Sequence, residues 1–350
     1  MPYPLVEEIQ QVIAPDGEVV GDLPDVTNDQ HLSFYRWMLL GRVFSDRMVA
    51  LQRQGRMGTF APHSGQEASA AIATALEPDD WLMGSYREMI AYMTKGTPML
   101  TLMEMSRGDL PNHTRDAHCL PVQIVLATQM LHAAGIAMGL KYDGKPNVSV
   151  GVCGDGATSE GDFNETLNFA GVYQLPLVVV VQNNGWAIST PRNRQSAAQH
   201  IAHRAPGFGL PGYLVDGNDI LAIHKVMAEC VARARAGEGP SLVELLTYRM
   251  GAHTTADDPT RYQPDDEVST WKQRGPINRY RTFLMTREIL TNEADELMHD
   301  SVTAEVQETV EALEALPPQD PGKLFDRVYE TRSPQLEKQY TEILQGGQHA

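Results

Sequence analysis

Apolar residues along this chain fall into short unbroken runs that alternate with longer stretches where they recur every three or four positions. The runs predict buried strands and the stretches predict amphipathic helices. Residues 148–153 and 177–181 are apolar almost throughout, and between them Phe163, Leu167 and Ala170 share one helical face of 161–173. That is a strand–helix–strand unit with both strands buried. Further strands are predicted at 81–85, 213–217 and 241–248, with a helix from a cap at Asp219 to Ala236. The alternation predicts an α/β fold, a parallel sheet with helices on both faces.

Helical patterns flank this block. One begins at Asn28 or Asp29 as N-cap and is ended by Gly55; it is read as core packing and subunit contact. Residues 123–140 predict another helix, with Gly135 and Gly139 allowing close packing. From Asp265 onward the chain reads as helical, and Leu297, Val302, Val306, Val310, Leu313 and Leu316 form an apolar stripe before Pro317-Pro318 breaks it. Three parts follow: an arm over residues 1–28, on the surface or on a partner, an α/β domain over 29–290, and a helical C-terminal extension over 291–350.

Composition narrows the function. A net charge of −17 without a lysine–arginine cluster argues against nucleic-acid binding. Cys119, Cys153 and Cys230 are far apart, form no CxxC, and predict a reduced, cytoplasmic setting without structural zinc. Cys153 is read as a small buried hydrophobe. No apolar run reaches membrane-spanning length, and the first residues lack the pattern of a secretory signal or presequence.

The chemistry concentrates where the two strands of the central unit end. In a parallel unit both C-terminal ends reach one edge of the sheet, where ligands of open α/β folds bind. Asp155, between Gly154 and Gly156, should meet Asn184 of Asn183-Asn184 there. A carboxylate and an amide oxygen beside glycines suit Mg²⁺ holding phosphate oxygens, with a helix N-terminus after Gly156 adding partial positive charge. A dinucleotide-binding turn needs a third glycine and an acidic end to the second strand. Ser159 and Gln182-Asn183-Asn184 stand in those places.

Gly154-Asp155-Gly156, 26 intervening residues and Asn183-Asn184, within EGDFNETLNFAG and QNNGWAIST, resemble the thiamine diphosphate signature of the α subunit of 2-oxo acid dehydrogenases. The resemblance covers roughly residues 30 to 290. It is nearest the pyruvate dehydrogenase type of bacteria and archaea, with the branched-chain 2-oxo acid dehydrogenase α subunit a near relative. It implies the thiamine diphosphate-binding fold, and decarboxylation of a 2-oxo acid on thiamine diphosphate with transfer of the acyl group to the lipoyl group of an acyltransferase component. Pyruvate is the preferred substrate; branched-chain 2-oxo acids and acetoin are alternatives, and a non-catalytic scaffold of the same fold is a distant one. By the same resemblance Asp155, Asn184 and the Trp186 carbonyl hold Mg²⁺. Tyr86, Arg87, Gly154, Gly156 and Ala157 meet the diphosphate side, and Ile124 and Leu126 touch the aminopyrimidine ring through backbone groups. His253 stands beside the cofactor's reactive carbon, able to donate or relay a proton, while Arg249 pairs with phosphate or orders the loop.

Some positions depart from the family. Ser85 replaces a glutamine, Ile124 a serine and Ala252 a histidine of the branched-chain type. The loop at 107–120, with His113 and His118, keeps only a loose echo. Phe60 and His63, before Gly65-Gln66-Glu67-Ala68, could face substrate or pack. Thr254 matches a serine phosphorylated in eukaryotic relatives and is expected to be unmodified. The family's ring-activating glutamate belongs to a separate β subunit, so a two-α-two-β heterotetramer is implied, with sites between α and β.

Overall fold

The computed structural model describes residues 3–109, 115–318, 320–326 and 329–346. Five strands form one parallel sheet in the order β1-β2-β3-β7-β6: β1 (Trp81–Met83), β2 (Ser149–Gly154), β3 (Leu177–Asn183), β6 (Gly212–Asp216) and β7 (Ser241–Leu246). β4 (Trp186–Ala187) and β5 (Thr190–Pro191) make a small antiparallel ribbon beside the end of β3. The helices in chain order are α1 (Asn28–Arg53), α2 (Met89–Lys95), α3 (Met99–Arg107), α4 (Thr128–Tyr142), α5 (Gly161–Tyr173), α6 (Arg192–Gln195), α7 (Ile220–Arg235), α8 (Asp265–Gln273), α9 (Pro276–Thr286), α10 (Asn292–Ala315) and α11 (Pro334–Gly346).

The two-residue period of a strand divides the central runs between two cores. Val150, Val152, Val178, Val180, Val243 and Leu245 face the larger core, formed with α1, α2, α7, α9 and α10. Cys153, Leu177, Val179, Val181 and Leu242 face the other, formed with α4 and α5. Both faces of the sheet are thus covered, which is why these strands read as unbroken apolar runs. Among the described residues no helix is long and apolar enough to cross a membrane.

Several local expectations change. Thr27, rather than Asn28 or Asp29, caps α1: its hydroxyl accepts from the Gln30 N–H and the Gln30 side chain accepts from the Thr27 N–H. α4 begins at Thr128, five residues later than expected, because Ala127 sits in the left-handed region at φ 65° and cannot continue a helix backwards. Gly135 and Gly139 serve no close packing within this chain, since a Cβ at either would meet open space. They lie with exposed Leu131 on α4, and α5 likewise exposes Phe169, Val172 and Tyr173. Of the C-terminal stripe, Val302, Val306, Val310 and Leu313 enter the larger core, whereas Leu297 is exposed.

Residues 1–28 are not only a surface arm. Gln10 pairs with Val215 of β6, and Val12 and Ile13 are buried in the larger core. Their N–H groups both donate to the Asp219 carboxylate, at 2.6 and 2.7 Å, while its other oxygen caps α7 through Leu221 and Ala222. Asp219 therefore does more than the N-cap expected of it. At the opposite edge, Leu82 bridges Cys119 and Ser85 bridges Gln123.

Candidate functional site

The ends of β2 and β3 bring Asp155 and Asn184 together: the Asn184 N–H donates to Asp155 Oδ1 at 3.4 Å. They line a cavity of about 140 Å³ with Tyr86, Arg87, Gly154, Gly156, Ala157, Leu126, Trp186 and His253 among its walls. Ile124 is not part of this lining, and its side chain is 70% exposed. A groove of about 850 Å³ on the other side of residues 250–251, lined by Tyr35, Arg42, Lys272 and Arg281, contains none of the expected site residues.

After Asp155 the chain makes a 3-10 turn, Asp155–Ser159, closed by the Thr158 hydroxyl donating to the Asp155 carbonyl at 2.8 Å. Glu160 is extended, and α5 starts at Gly161, as its apolar face predicts, so the 3-10 turn separates Gly156 from that helix N-terminus. Gly156 is required by close approach: a Cβ there would come within 2.9 Å of the Ala187 Cβ.

Asp155 is 1% exposed and has no cation within ion-pair distance among the described residues. Burial pushes its carboxyl above the usual range, opposed by the Gln195 amide, which donates at 2.9 Å, and by the Asn184 N–H. Arg87 is the complementary case. Its guanidinium donates to two carbonyls, from Nε to Pro62 at 3.2 Å and from Nη2 to His253 at 2.6 Å, and lies against Tyr86; among the described residues no carboxylate is within ion-pair distance, Glu88 and Asp155 acting on it from further away. A buried anion and a buried cation thus share one cavity, each without a counter-ion. Burying unpaired charge costs several kcal/mol per ion, so both are suited to partners brought by a ligand. A divalent cation answers Asp155 and a diphosphate answers Arg87. The residues present fit both groups.

His253 is half-buried, its ring edge-on to Tyr86 at 5.9 Å and its Nδ1 unpartnered. Burial first, then Arg87 and Arg249, lower its pKa to about 4, so the ring is neutral at physiological pH. The His253 backbone N–H donates to the Asp257 carboxylate at 2.7 Å. Arg249 does not line the cavity. It is 1% exposed and donates to the carbonyls of Ile188 and Gly251 and to the Tyr262 hydroxyl. Of the two roles the sequence left open, ordering the loop is the one these contacts serve.

Phe60 and His63 pack rather than face the cavity. Phe60 lies edge-on to Phe44 at 6.0 Å, and His63 stacks on Phe44 and is buried, with a pKa lowered to about 3 by burial and by Arg87. His118 packs edge-on against Trp81 at 4.9 Å, away from the cavity, and His113 lies outside the described residues. Reading the sequence gave no individual role to Gln195, Gln66, Gln182 or Glu88. Glu88 adjoins Arg87 and Gln182 ends β3, but an amide or carboxylate at such places carries no pattern of its own.

Residues 35–322 match the family described as Dehydrogenase E1 component. The chain is 42% identical over 342 residues, covering 95% of it and 92% of the relative, to the 3-methyl-2-oxobutanoate dehydrogenase subunit alpha of Mycobacterium tuberculosis. It is 40% identical over 337 residues, covering 94% and 91%, to the pyruvate dehydrogenase E1 component subunit alpha of Bacillus subtilis. The corresponding subunit of Staphylococcus epidermidis is 38% identical over 339 residues, covering 95% and 92%.

Proposed function

The chain belongs to the Dehydrogenase E1 component family, and we propose from that premise that it is the α subunit of a 2-oxo acid dehydrogenase, working on thiamine diphosphate and Mg²⁺. The observation that carries this reading is the pair of buried, uncompensated charges, Asp155 and Arg87, in one cavity at the sheet edge. Asp155, the Asn184 amide oxygen and the Trp186 carbonyl would hold the cation. Arg87, Tyr86, Gly154 and the Gly156 and Ala157 backbone would hold the diphosphate, and the backbone at 124–126 would meet the ring. When bound, the cofactor supplies the electron sink that decarboxylation requires. His253, neutral and with a free Nδ1, can accept or donate a proton at the mouth of the cavity. Arg249 holds the loop that aims it.

A cavity of about 140 Å³ is small beside the ~300–1,000 Å³ of ordinary ligand sites. That supports a site finished by another chain, a β subunit in a two-α-two-β assembly. The exposed apolar faces of α4 and α5, and exposed Ile124 and Val125, supply surface for such a partner. A lipoyl acyltransferase component is the proposed acyl acceptor. Buried, unpaired cysteines fit work in a reduced compartment.

Pyruvate is our first substrate reading, because Ile124 and Ala252 replace the serine and histidine of the branched-chain type. The 42% identity to a subunit named for 3-methyl-2-oxobutanoate supports the second. Calorimetry of thiamine diphosphate binding to α co-purified with β, in Mg²⁺ and then EDTA, tests the site. Metal-dependent binding lost in Asp155→Ala is the expected result, and no binding by the assembled wild type would overturn it. Comparing the two 2-oxo acids on the same preparation decides the substrate.

A further inference from the structure

We propose that Glu88 is a positioning residue that decides which atom Asn184 presents to the cation site, acting through a buried relay of two glutamine amides. The inference rests on the reading that the Asn184 oxygen is a cation ligand. Three segments distant in sequence build the relay. Glu88 Oε2 accepts from the Ser85 N–H and hydroxyl, both at 2.6 Å, and Oε1 accepts from Gln182 Nε2 at 2.9 Å. Gln182 Oε1 accepts from Gln66 Nε2 at 3.2 Å, and Gln66 Oε1 accepts from Asn184 Nδ2 at 3.1 Å. All four side chains are buried.

A carboxamide is nearly symmetric in shape, so its two orientations are separated only by what its oxygen and nitrogen meet. A carboxylate is different, because it only accepts; burial raises the Glu88 pKa, while the donors from Ser85 and Gln182 and the charge of Arg87 favour its ionised form. Glu88 therefore requires Gln182 to turn its nitrogen towards it, leaving an oxygen for Gln66. Gln66 must then offer its nitrogen to Gln182 and its oxygen to Asn184. Asn184 is left with its nitrogen engaged and its oxygen free for the site. At the far end the Trp186 N–H donates to that same oxygen at 3.2 Å, so the two ends agree in sense. One acceptor-only group fixes three amides, and the cation would meet an oxygen rather than an NH₂.

Glu88→Gln keeps shape and reverses the logic. The Ser85 N–H is a backbone donor that cannot turn round, so it would hold the new amide's oxygen and leave its nitrogen facing Gln182. Gln182 and Gln66 would then have to invert, and Asn184 would be pulled to present nitrogen against the Trp186 N–H. Glu88→Gln/Gln182→Glu restores the original sense from Gln66 onward, because the carboxylate has moved one place along the relay.

The test is a Mn²⁺ titration, followed by electron paramagnetic resonance in the presence of thiamine diphosphate, on the full chain assembled with its β subunit. Glu88→Gln is expected to weaken Mn²⁺ roughly 10–100-fold, the range for groups that orient metal ligands, with an unchanged melting temperature. Gln182→Met leaves the charge unaltered, so weakening there separates orientation from loss of a negative charge, and it decides the matter should Glu88→Gln fail to fold. Glu88→Gln/Gln182→Glu is expected to recover most of the affinity. Asp155→Ala is the control for the site itself. Binding lost in Asp155→Ala but intact in Glu88→Gln and Gln182→Met would overturn the relay and leave the site standing, whereas binding unchanged in Asp155→Ala would overturn the site reading.

Discussion

Two places along the same sheet edge bury charge in opposite ways. Where β6 ends, Asp216 pairs with Arg279 at 2.9 Å and also accepts from Gln11, and Asp219 accepts four backbone N–H groups. Beside the ends of β2 and β3, Asp155 and Arg87 are as deeply buried, yet among the described residues neither is part of an ion pair. The first arrangement joins the N-terminal segment, the sheet and α9 into one body. The second leaves both charges without an ion-pair partner among the described residues, as a ligand site would. Buried charge by itself marks neither architecture nor chemistry; whether a counter-charge or a full set of backbone donors answers it separates the two.

The comparison can be broken most forcefully at its structural end. Arg279→Met leaves Asp216 buried without its cation and is expected to cost about 3–5 kcal/mol in denaturant unfolding. Asp155→Ala should do the reverse. Its carboxyl is raised in the folded chain, so at neutral pH it opposes folding, and that opposition fades as pH falls. Removing it should leave the unliganded melting temperature unchanged or higher, while cofactor binding falls at least ~10–100-fold by calorimetry. A melting temperature that drops as far as that of Arg279→Met would erase the distinction.

His253 sharpens it through pH. Its folded pKa of about 4 lies below the ordinary 6.5, so the stability it contributes is fully present above pH 6.5 and is lost as pH falls towards 4. Melting scans between pH 7 and 5 should show that loss, reduced in His253→Asn. Neutralising Arg87 with bound diphosphate removes one cause of the depression, so ring NMR should find the pKa raised in the complex. The smallest effect is expected from Glu305→Gln. Its ion pair with Arg36 is more than a third exposed on both sides, and loss below about 1 kcal/mol in the same unfolding experiment would show that pairing matters only where water is excluded.

The strand–helix–strand unit was legible because burial on both faces leaves few polar residues, and those at the strand ends, to blur the pattern, and α5 spans the residues its apolar face predicted. The meeting of Asp155 and Asn184 followed from parallel topology alone. What was hidden depends on tertiary partners. Nothing local in Val12 or Ile13 announces that Asp219, some two hundred residues on, will accept their N–H groups. Ala127 looks like a helix residue until its left-handed backbone is seen. Glycines at 135 and 139 predict close packing, but their spacing does not say which surface approaches. Gln66, Gln182 and Glu88 gain meaning only from one another.

The two borders of the sheet carry one more implication. Beside β6 the Gln10 segment is already paired, and beside β1 the bridges from Cys119 and Gln123 take up the free side. An unpaired border strand invites another polypeptide to add itself as the next strand, the route of fibre growth and of strand-donating complexes. Both invitations are withdrawn here by short, irregular neighbours that expose no continuous ladder of their own. With both borders occupied, a partner subunit is met by side-chain fit on other surfaces rather than by open-ended backbone templating.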